Sequence, residues 1–513
     1  MLRSTESAVE EPRERAIVGN TLFDVVVVGG GAAGCVVAAR LAESASRSVL
    51  LLEAGPDLRA NLPDDIRDGW RITPDFDWGL TSEPDERGEV ENLRRGKLLG
   101  GTSWVTRFAV RGSPADYDDW AALGNAGWGF EDVLPYFRRL EADADFGDRP
   151  WHGDSGPIPI DRYRELQPTD IGAAALEAMG AVGFPFIEDH NRPGAVGAGR
   201  MPMSSRGGVR VTTADAYLPV GRTPPNLTIW PDSHVSDIVL DEAHARGIRL
   251  ADGTVVDASW VVLSAGTYGS PSILMRSGIG PADHLRSFGF PVLVDIPGVG
   301  ANLADHPAVD IDCGYRGDAR TTPILHSIAT FHSTAAPSDG PPDLMLWISD
   351  PRGAPNDPPT FEIDIVLLKP RSRGSVRLRS ADPTDAPRIE LPRVREPSDV
   401  ERLAEGYLRA REVASRKEIR RMCTDLPPEI RDADELRGSI RANNYSIPHV
   451  VGTCSMGPSP GEGAVVDTSG RVHGTDRLSV VDASIMPAAT SGFPHIATIM
   501  IAERLSEQIA ASL

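Results

Sequence analysis

Three glycines, Gly29, Gly31 and Gly34, stand in the spacing G-x-G-x-x-G directly after a β-branched run, Val25 to Val28. In that pattern the first glycine permits a tight turn, the second lets the backbone approach a pyrophosphate, and the third allows a helix to pack closely on a strand. A second apolar run, residues 49–52, ends at Glu53, whose carboxylate can accept both hydroxyls of a ribose. Strand, glycine turn, helix and acidic strand end together favour a dinucleotide site over a purely structural turn, and leave NAD and FAD both open. The chain has 11 histidines and four cysteines (Cys35, Cys313, Cys423, Cys454). They form no C-x-x-C pair, no Ser-His-Asp arrangement and no cluster at ligand spacing, so neither a metal nor a disulfide framework is expected.

These groups need positioning elements. Residues 23–34 read as strand and turn, residues 35–43 as helix, and residues 49–52 as a second strand, one βαβ unit. A third buried-strand pattern, residues 260–266, comes two hundred residues later, so the nucleotide domain is assembled from discontinuous segments. Between Thr334 and Thr360 lie seven prolines, which break regular structure around the short apolar run 344–348 and read as loops of a second domain. Residues 362–368, with Val376 and Leu378, read as strands, residues 400–416 as an exposed helix, and residues 496–513 as a packed closing helix. The expected division is a disordered lead-in at 1–21, a nucleotide domain from 22–156, 205–315 and 468–513, and a second domain from 157–204 and 316–467.

The 513 residues are too many for one compact domain, and 41% hydrophobic content fills a real core. With 52 basic against 73 acidic residues, the formal charge is −21. No basic stripe is visible, which argues against nucleic acid as a partner. No segment has the length of a membrane span, and the polar start lacks a signal-peptide core. With sparse cysteines, a reduced, cytoplasmic setting is expected.

Further motifs follow in order: residues 95–103 (RGKLLGGTS), 266–271 and 277–280 (GTYGSP, SGIG), 297–303 with Asp305 and His306, 372–374 (SRG), 449–457 (HVVGTCSMG) and 481–487 (VDASIMP). They resemble the signatures of the glucose-methanol-choline (GMC) family of flavoprotein oxidoreductases, over residues 22–513. The resemblance implies FAD, a Rossmann-type FAD-binding domain of α/β kind, and an α+β substrate domain built on an antiparallel sheet. It implies FAD contacts from Gly29, Gly31, Ala32, Ala33, Gly34, Glu53, Ala54, Lys97, Gly100, Gly101, Thr102, Ser103, Val235, Ala265, Gly266, Asp482, Ala483 and His495. It also implies that His449 is the active-site histidine and His495 its neighbour over the flavin. Imidazole suits the task, because its ordinary pKa near ~6.5 lets it take the hydroxyl proton of an alcohol while a hydride leaves the carbon. The partners are then a small-molecule alcohol and an electron acceptor, oxygen or a redox carrier. His306 reads as structural, and His152, His190, His234, His326, His332 and His473 as polar-loop residues.

The chain departs from the family at Thr106, where an asparagine or histidine is usual, and residues 107–112 are one short. Val105 stands where members with covalent flavin carry histidine, so FAD is expected to bind non-covalently. Arg107 falls on the substrate side and is a candidate clamp for an anionic group, with loop stabilisation as its other reading. Pro448 replaces a bulky aromatic and opens space above the flavin. Residues 143–160 resemble the branch that includes hydroxymethylfurfural and aryl-alcohol oxidases and choline dehydrogenases, which implies a primary alcohol as substrate. Two rival readings on the same fold are a hydroxynitrile lyase, which uses the histidines without redox chemistry, and a flavin-binding protein without catalysis.

Overall fold

The computed structural model describes residues 22–63, 66, 74–162, 170–318, 327–353 and 357–513. The expected lead-in and His326 lie outside the described residues.

Val25–Val28 is buried at all four positions and forms the centre of a five-stranded parallel sheet. An unbroken apolar run, without alternation, is what a strand covered on both faces requires. Across the sheet the strands are Leu227–Trp230, Val49–Leu52, Val25–Val28, Val261–Leu263 and Leu478–Val480, all parallel. The sheet thus gathers segments more than 400 residues apart. The first helix, Ala32–Leu41, packs against the last, Pro494–Ser512, whose Ile496, Ile499, Met500, Leu505 and Ile509 are buried. A bidentate pair clamps them: Arg40 Nε lies 2.8 Å and Nη2 2.7 Å from the two oxygens of buried Glu503.

The second sheet is antiparallel, in the order Cys423–Asp425, Pro307–Tyr315, Thr360–Leu367, Leu344–Ile348, Ser327–Phe331, Gly197–Arg200, with Tyr445–Ser446 also paired to Pro307–Tyr315. Its period-two alternation separates two cores. Ile311, Ile363, Ile365, Leu344 and Leu346 meet the helices Asp170–Ala181 and Pro397–Ala414. Ala308, Met345, Val366 and Trp347 face the opposite way, toward Phe493 and Ile447.

Four expectations are corrected. Residues 344–348 are an interior strand rather than loop, and the prolines sit in the connections beyond its ends. The helix Pro397–Ala414 is not an exposed one. Val400, Leu403, Gly406, Tyr407, Ala410 and Val413 form a buried stripe at helical spacing. The charged remainder of its surface hid that stripe, and at Gly406 a Cβ would come within 2.6 Å of Ile365. The expected boundary at 315 also moves, because Pro307–Tyr315 runs inside the second sheet. The boundary at 467 moves as well: Val451, Cys454, Met456, Val465 and Val466 belong to the first core, with Cys454 and Met456 N–H groups donating to the carbonyls of Ser484 and Ile485 at 2.8 Å each. The chain therefore leaves the nucleotide core after Ala304, touches it again at Leu378, and re-enters it at Val451.

Candidate active site

The glycine turn builds a cradle at the carboxyl ends of the parallel strands. Gly29 takes a φ of +97°, and its carbonyl lies 1.8 Å from where a Cβ on Gly34 would stand, so both positions exclude a side chain. Gly31 differs. A Cβ there would meet nothing within 4 Å, and the helix it caps has neither a side-chain cap nor an acid in its first turn. Open space before uncapped helix N–H groups, beside Ala32 and Ala33, suits a pyrophosphate. The 3₁₀ turn Gly101–Trp104 closes over this point: Gly100 N donates to Gly30 O at 2.7 Å, and a Cβ on Gly101 would reach 2.8 Å from Gly31 Cα. Gly266, at φ +78°, also faces open space.

Two carboxylates flank the cradle. Glu53 accepts from Gly30 N at 2.8 Å and Gly55 N at 2.9 Å. Burial pushes its pKa up to about 7 against the pull of those N–H donors. Val235 opens its strand just past Ser233, whose N–H donates to Glu53 O at 2.7 Å, so this expected contact and the Glu53–Ala54 corner come together. Asp482 accepts from Gly266 N at 2.9 Å, Ser270 Oγ at 2.6 Å and Ser484 N at 2.8 Å. It fixes the Ala265–Gly266 corner to the Asp482–Ala483 turn, a positioning role that the sequence did not show. Ser103 turns away from the cradle, with Oγ 2.5 Å from Gly100 O and 3.2 Å from Thr213 Oγ1. Thr102 Oγ1 accepts from Gly96 N at 3.4 Å, and Lys97 Nζ stands 4.9 Å over the Trp78 ring.

His449 and the Phe493–His495 corner come from different segments and meet at the Phe493 ring. Val450 O accepts from Thr267 Oγ1 at 2.9 Å, and Thr453 Oγ1 donates to Thr267 O at 2.6 Å, which stitches the segment after His449 to the Gly266–Arg276 helix. The Phe493–His495 corner is held by Phe493 N donating to Val110 O at 3.0 Å, and by Asp116, whose carboxylate accepts from Ser491 N and Oγ at 2.8 and 2.5 Å. The Phe493 ring stands edge-on to His449 at 4.9 Å. His495 Nε2 is buried with no partner among the described residues. Burial, then the Arg210 charge, brings His495 down to about 4. Burial, then His306 and Arg95, holds His449 well below the usual histidine range. Both shifts favour the neutral imidazole, the form that can accept a proton.

His306, read as structural, is in fact the ring against His449: their Nδ1 atoms lie 3.0 Å apart, with the rings perpendicular. Asp305 holds both backbones, accepting from His306 N and His449 N at 2.8 Å each and from the Ser446 hydroxyl. Burial raises its carboxyl to about 6. The sequence signal was present, since Asp305-His306 sits in a recognised motif, but nothing in the order of residues puts it beside a histidine 143 positions away.

The polar-loop reading of His152 is corrected. It is buried between Glu141 (2.7 Å) and Asp189 (3.0 Å), with Asp143 at 3.3 Å. Burial alone would lower its pKa, but the Asp189 and Glu141 bonds raise it. Glu141, Asp143 and His152 bring three possible metal donors together, yet Arg111 (2.9 Å from Glu141) and Arg162 (2.8 Å from Asp143) already supply the positive charge. His190 is buried too, and burial lowers it to about 4. Arg107 is 4% exposed and not an unpaired charge, and its carbonyl accepts from Ser204 N at 2.6 Å. Pro448 is exposed, its carbonyl accepting from Arg95 Nη2 at 3.0 Å. Among the described residues no helix is long and apolar enough to cross a membrane.

Residues 23–308 and 370–502 match two family models, both described as GMC oxidoreductase. The chain is 36% identical to the 5-(hydroxymethyl)furfural oxidase of Methylovorus sp. (strain MP688), over 96% of this chain and 99% of that protein. It is 34% identical to the choline oxidase of Arthrobacter globiformis, over 96% and 94%. Among solved structures, pyridoxine 4-oxidase from Mesorbium loti superposes with a TM-score of 0.87 at 32% identity, over 95% of this chain and 99% of that one.

Proposed function

The chain belongs to the GMC oxidoreductase family, whose members are FAD-dependent oxidoreductases acting on alcohols, and on that premise we propose that it oxidises a primary alcohol with His449 as general base. The single observation that carries this reading is the His449 ring held at Nδ1 by His306, 3.0 Å away. When bound, FAD supplies a hydride acceptor at N5 of its ring. The cradle at Gly31 and Gly266 fits its pyrophosphate and ring edge, Glu53 its ribose, and a chain with Val105 in the attachment position holds it non-covalently.

The protein's own groups then have defined tasks. His449 Nδ1–H donates to His306 Nδ1, which leaves the lone pair of His449 Nε2 to take the hydroxyl proton. His495 Nε2, buried without a partner among the described residues and two positions from Phe493, bonds the substrate oxygen and orients the carbon. Phe493 and Trp347, stacked at 6.0 Å, form an aromatic wall beside the base. The choice of a primary alcohol is supported by the stretch 143–160 and by the hydroxymethyl substrate named in one relative. The acceptor is oxygen or a redox carrier, and a reducing, cytoplasmic setting is supported by four buried free thiols. Arg107 holds its loop in this reading. Arg107→Ala assayed on paired neutral and carboxylated alcohols tests it, and selective loss of the carboxylated substrate would transfer Arg107 to substrate binding.

Anaerobic mixing of the holoenzyme with a panel of alcohols is the test. Bleaching of the flavin supports oxidation, whereas turnover of a cyanohydrin without bleaching would establish the lyase reading.

A further inference from the structure

The face of the second sheet that looks toward His449 carries a carboxylate which the proposed chemistry does not use. Asp364 lies on Thr360–Leu367, opposite Trp347 on one neighbouring strand and Asp310 on the other. Side chains directly opposite share a face, so Asp364, Val366, Ala308, Tyr445 and Trp347 project the same way. Phe493 joins this face to the active site: its ring is edge-on to His449 at 4.9 Å and stacked on Trp347 at 6.0 Å. Trp347, Tyr445 and His449 are each only half-buried, as rings lining an accessible space are.

Asp364 is 3% exposed. Its Oδ1 accepts from the Tyr445 hydroxyl, while its Oδ2 has no well-aligned hydrogen bond among the described residues, the Trp347 side chain opposite it being only a weak donor. An unmatched carboxylate oxygen in such a place carries a desolvation cost that an external donor would relieve. The surrounding charge selects the donor. Asp310, Asp312 and Glu362 line the outer part of the same face, and among the described residues only Glu362 is in an ion pair there, with Arg352. An anion would be repelled along this approach and a cation drawn in.

We infer that Asp364, oriented by Tyr445, is a specificity-determining residue that binds a protonated amine or similar cationic N–H donor at the end of the substrate remote from its carbinol. The inference rests on the proposed alcohol oxidation and adds the substrate class: an alcohol that carries a protonated amine at its far end. Burial and the neighbouring Glu362 and Asp310 raise the free Asp364 carboxyl to about 7, partly offset by Tyr445 and Trp347. A bound ammonium would reverse that shift. A site built around such a donor penalises analogues that lack it more than a hydrophobic pocket penalises a missing methylene.

The test compares benzyl alcohol, 4-(aminomethyl)benzyl alcohol and 4-(hydroxymethyl)benzoate as reductants of the holoenzyme, in wild type and Asp364→Asn. Wild type is expected to favour the amine over benzyl alcohol by about tenfold or more in kcat/KM, with the benzoate poorest. Asp364→Asn is expected to abolish that preference while leaving benzyl alcohol within about threefold. Equal preference in wild type, or uniform slowing of all three by the variant, would overturn the assignment. Calorimetric titration with benzylamine separates this inference from the chemistry it rests on. Binding to wild type and not to Asp364→Asn supports the cation site even if no alcohol bleaches the flavin, and absence of binding to wild type overturns the site even if benzyl alcohol is oxidised.

Discussion

His306 Nδ1 lies 3.0 Å from His449 Nδ1, so one imidazole must donate and the other accept. Only donation from His449 leaves a basic lone pair on its Nε2. His306 is therefore a positioning residue that sets a tautomer. His306→Leu should lower kcat/KM by about tenfold or more with FAD retained, and His306→Asn, whose side-chain oxygen can accept the same proton, should recover most of it. If Leu and Asn behave alike, the tautomer argument fails.

His449→Ala should leave FAD bound and slow anaerobic flavin reduction by about 10²-fold or more, with a smaller effect from His495→Ala. Because burial holds His449 well below the usual histidine range, wild-type kcat/KM should stay level through neutral pH and fall only on acidification, as the base becomes protonated. Stopped-flow rates across pH 5 to 9 read both effects. An activity-controlling ionisation above the ordinary histidine value would count against His449 as the base.

The glycines separate ligand space from packing. Gly31→Ala meets nothing in the protein, so it should fold with nearly unchanged thermal stability yet weaken FAD binding by about tenfold or more, because the methyl group occupies pyrophosphate space. Gly34→Ala collides with the Gly29 carbonyl at 1.8 Å and should destabilise the fold itself. Differential scanning fluorimetry with an FAD titration distinguishes the two, and loss of folding in Gly31→Ala would remove the site from this place.

Glu53 makes the FAD-free protein pH-sensitive. Its folded pKa of about 7 lies above the ordinary value of 4.5, so the folded state keeps a proton that the unfolded chain has lost between those pH values. The associated stability is present below about 4.5 and is lost as pH rises through 7, on the order of 3 kcal/mol. Denaturant unfolding of FAD-free wild type at pH 5 and pH 8 should differ by more than that of Glu53→Gln, and parallel curves for the two proteins would contradict the shift.

Acid precipitation should release intact FAD into the supernatant, since Val105 offers no nucleophile for a histidyl bond. Yellow colour retained by the washed pellet would refute non-covalent binding.

The glycine spacing, Glu53 and the buried run at residues 25–28 were legible because each acts locally: a turn, a strand and a helix start are decided by residues next to one another. The ordered motifs along the chain likewise carried the family and FAD. What sequence did not show depends on sheet pairing. The interior strand Leu344–Ile348 looked like loop because prolines surround it, and only its two partners make it central. The helix Pro397–Ala414 looked exposed because its apolar stripe is narrow and needs Ile365 opposite Gly406 to be recognised. The pairing of Pro307–Tyr315 with Tyr445–Ser446 places His306 against His449, and the cross-strand register of Thr360–Leu367 turns Asp364 to the active-site face. Local chemistry is written in neighbouring residues. Contacts made across 50 to 400 positions exist only after the chain has paid the entropy of bringing its strands together, and no spacing rule encodes which strand it will find.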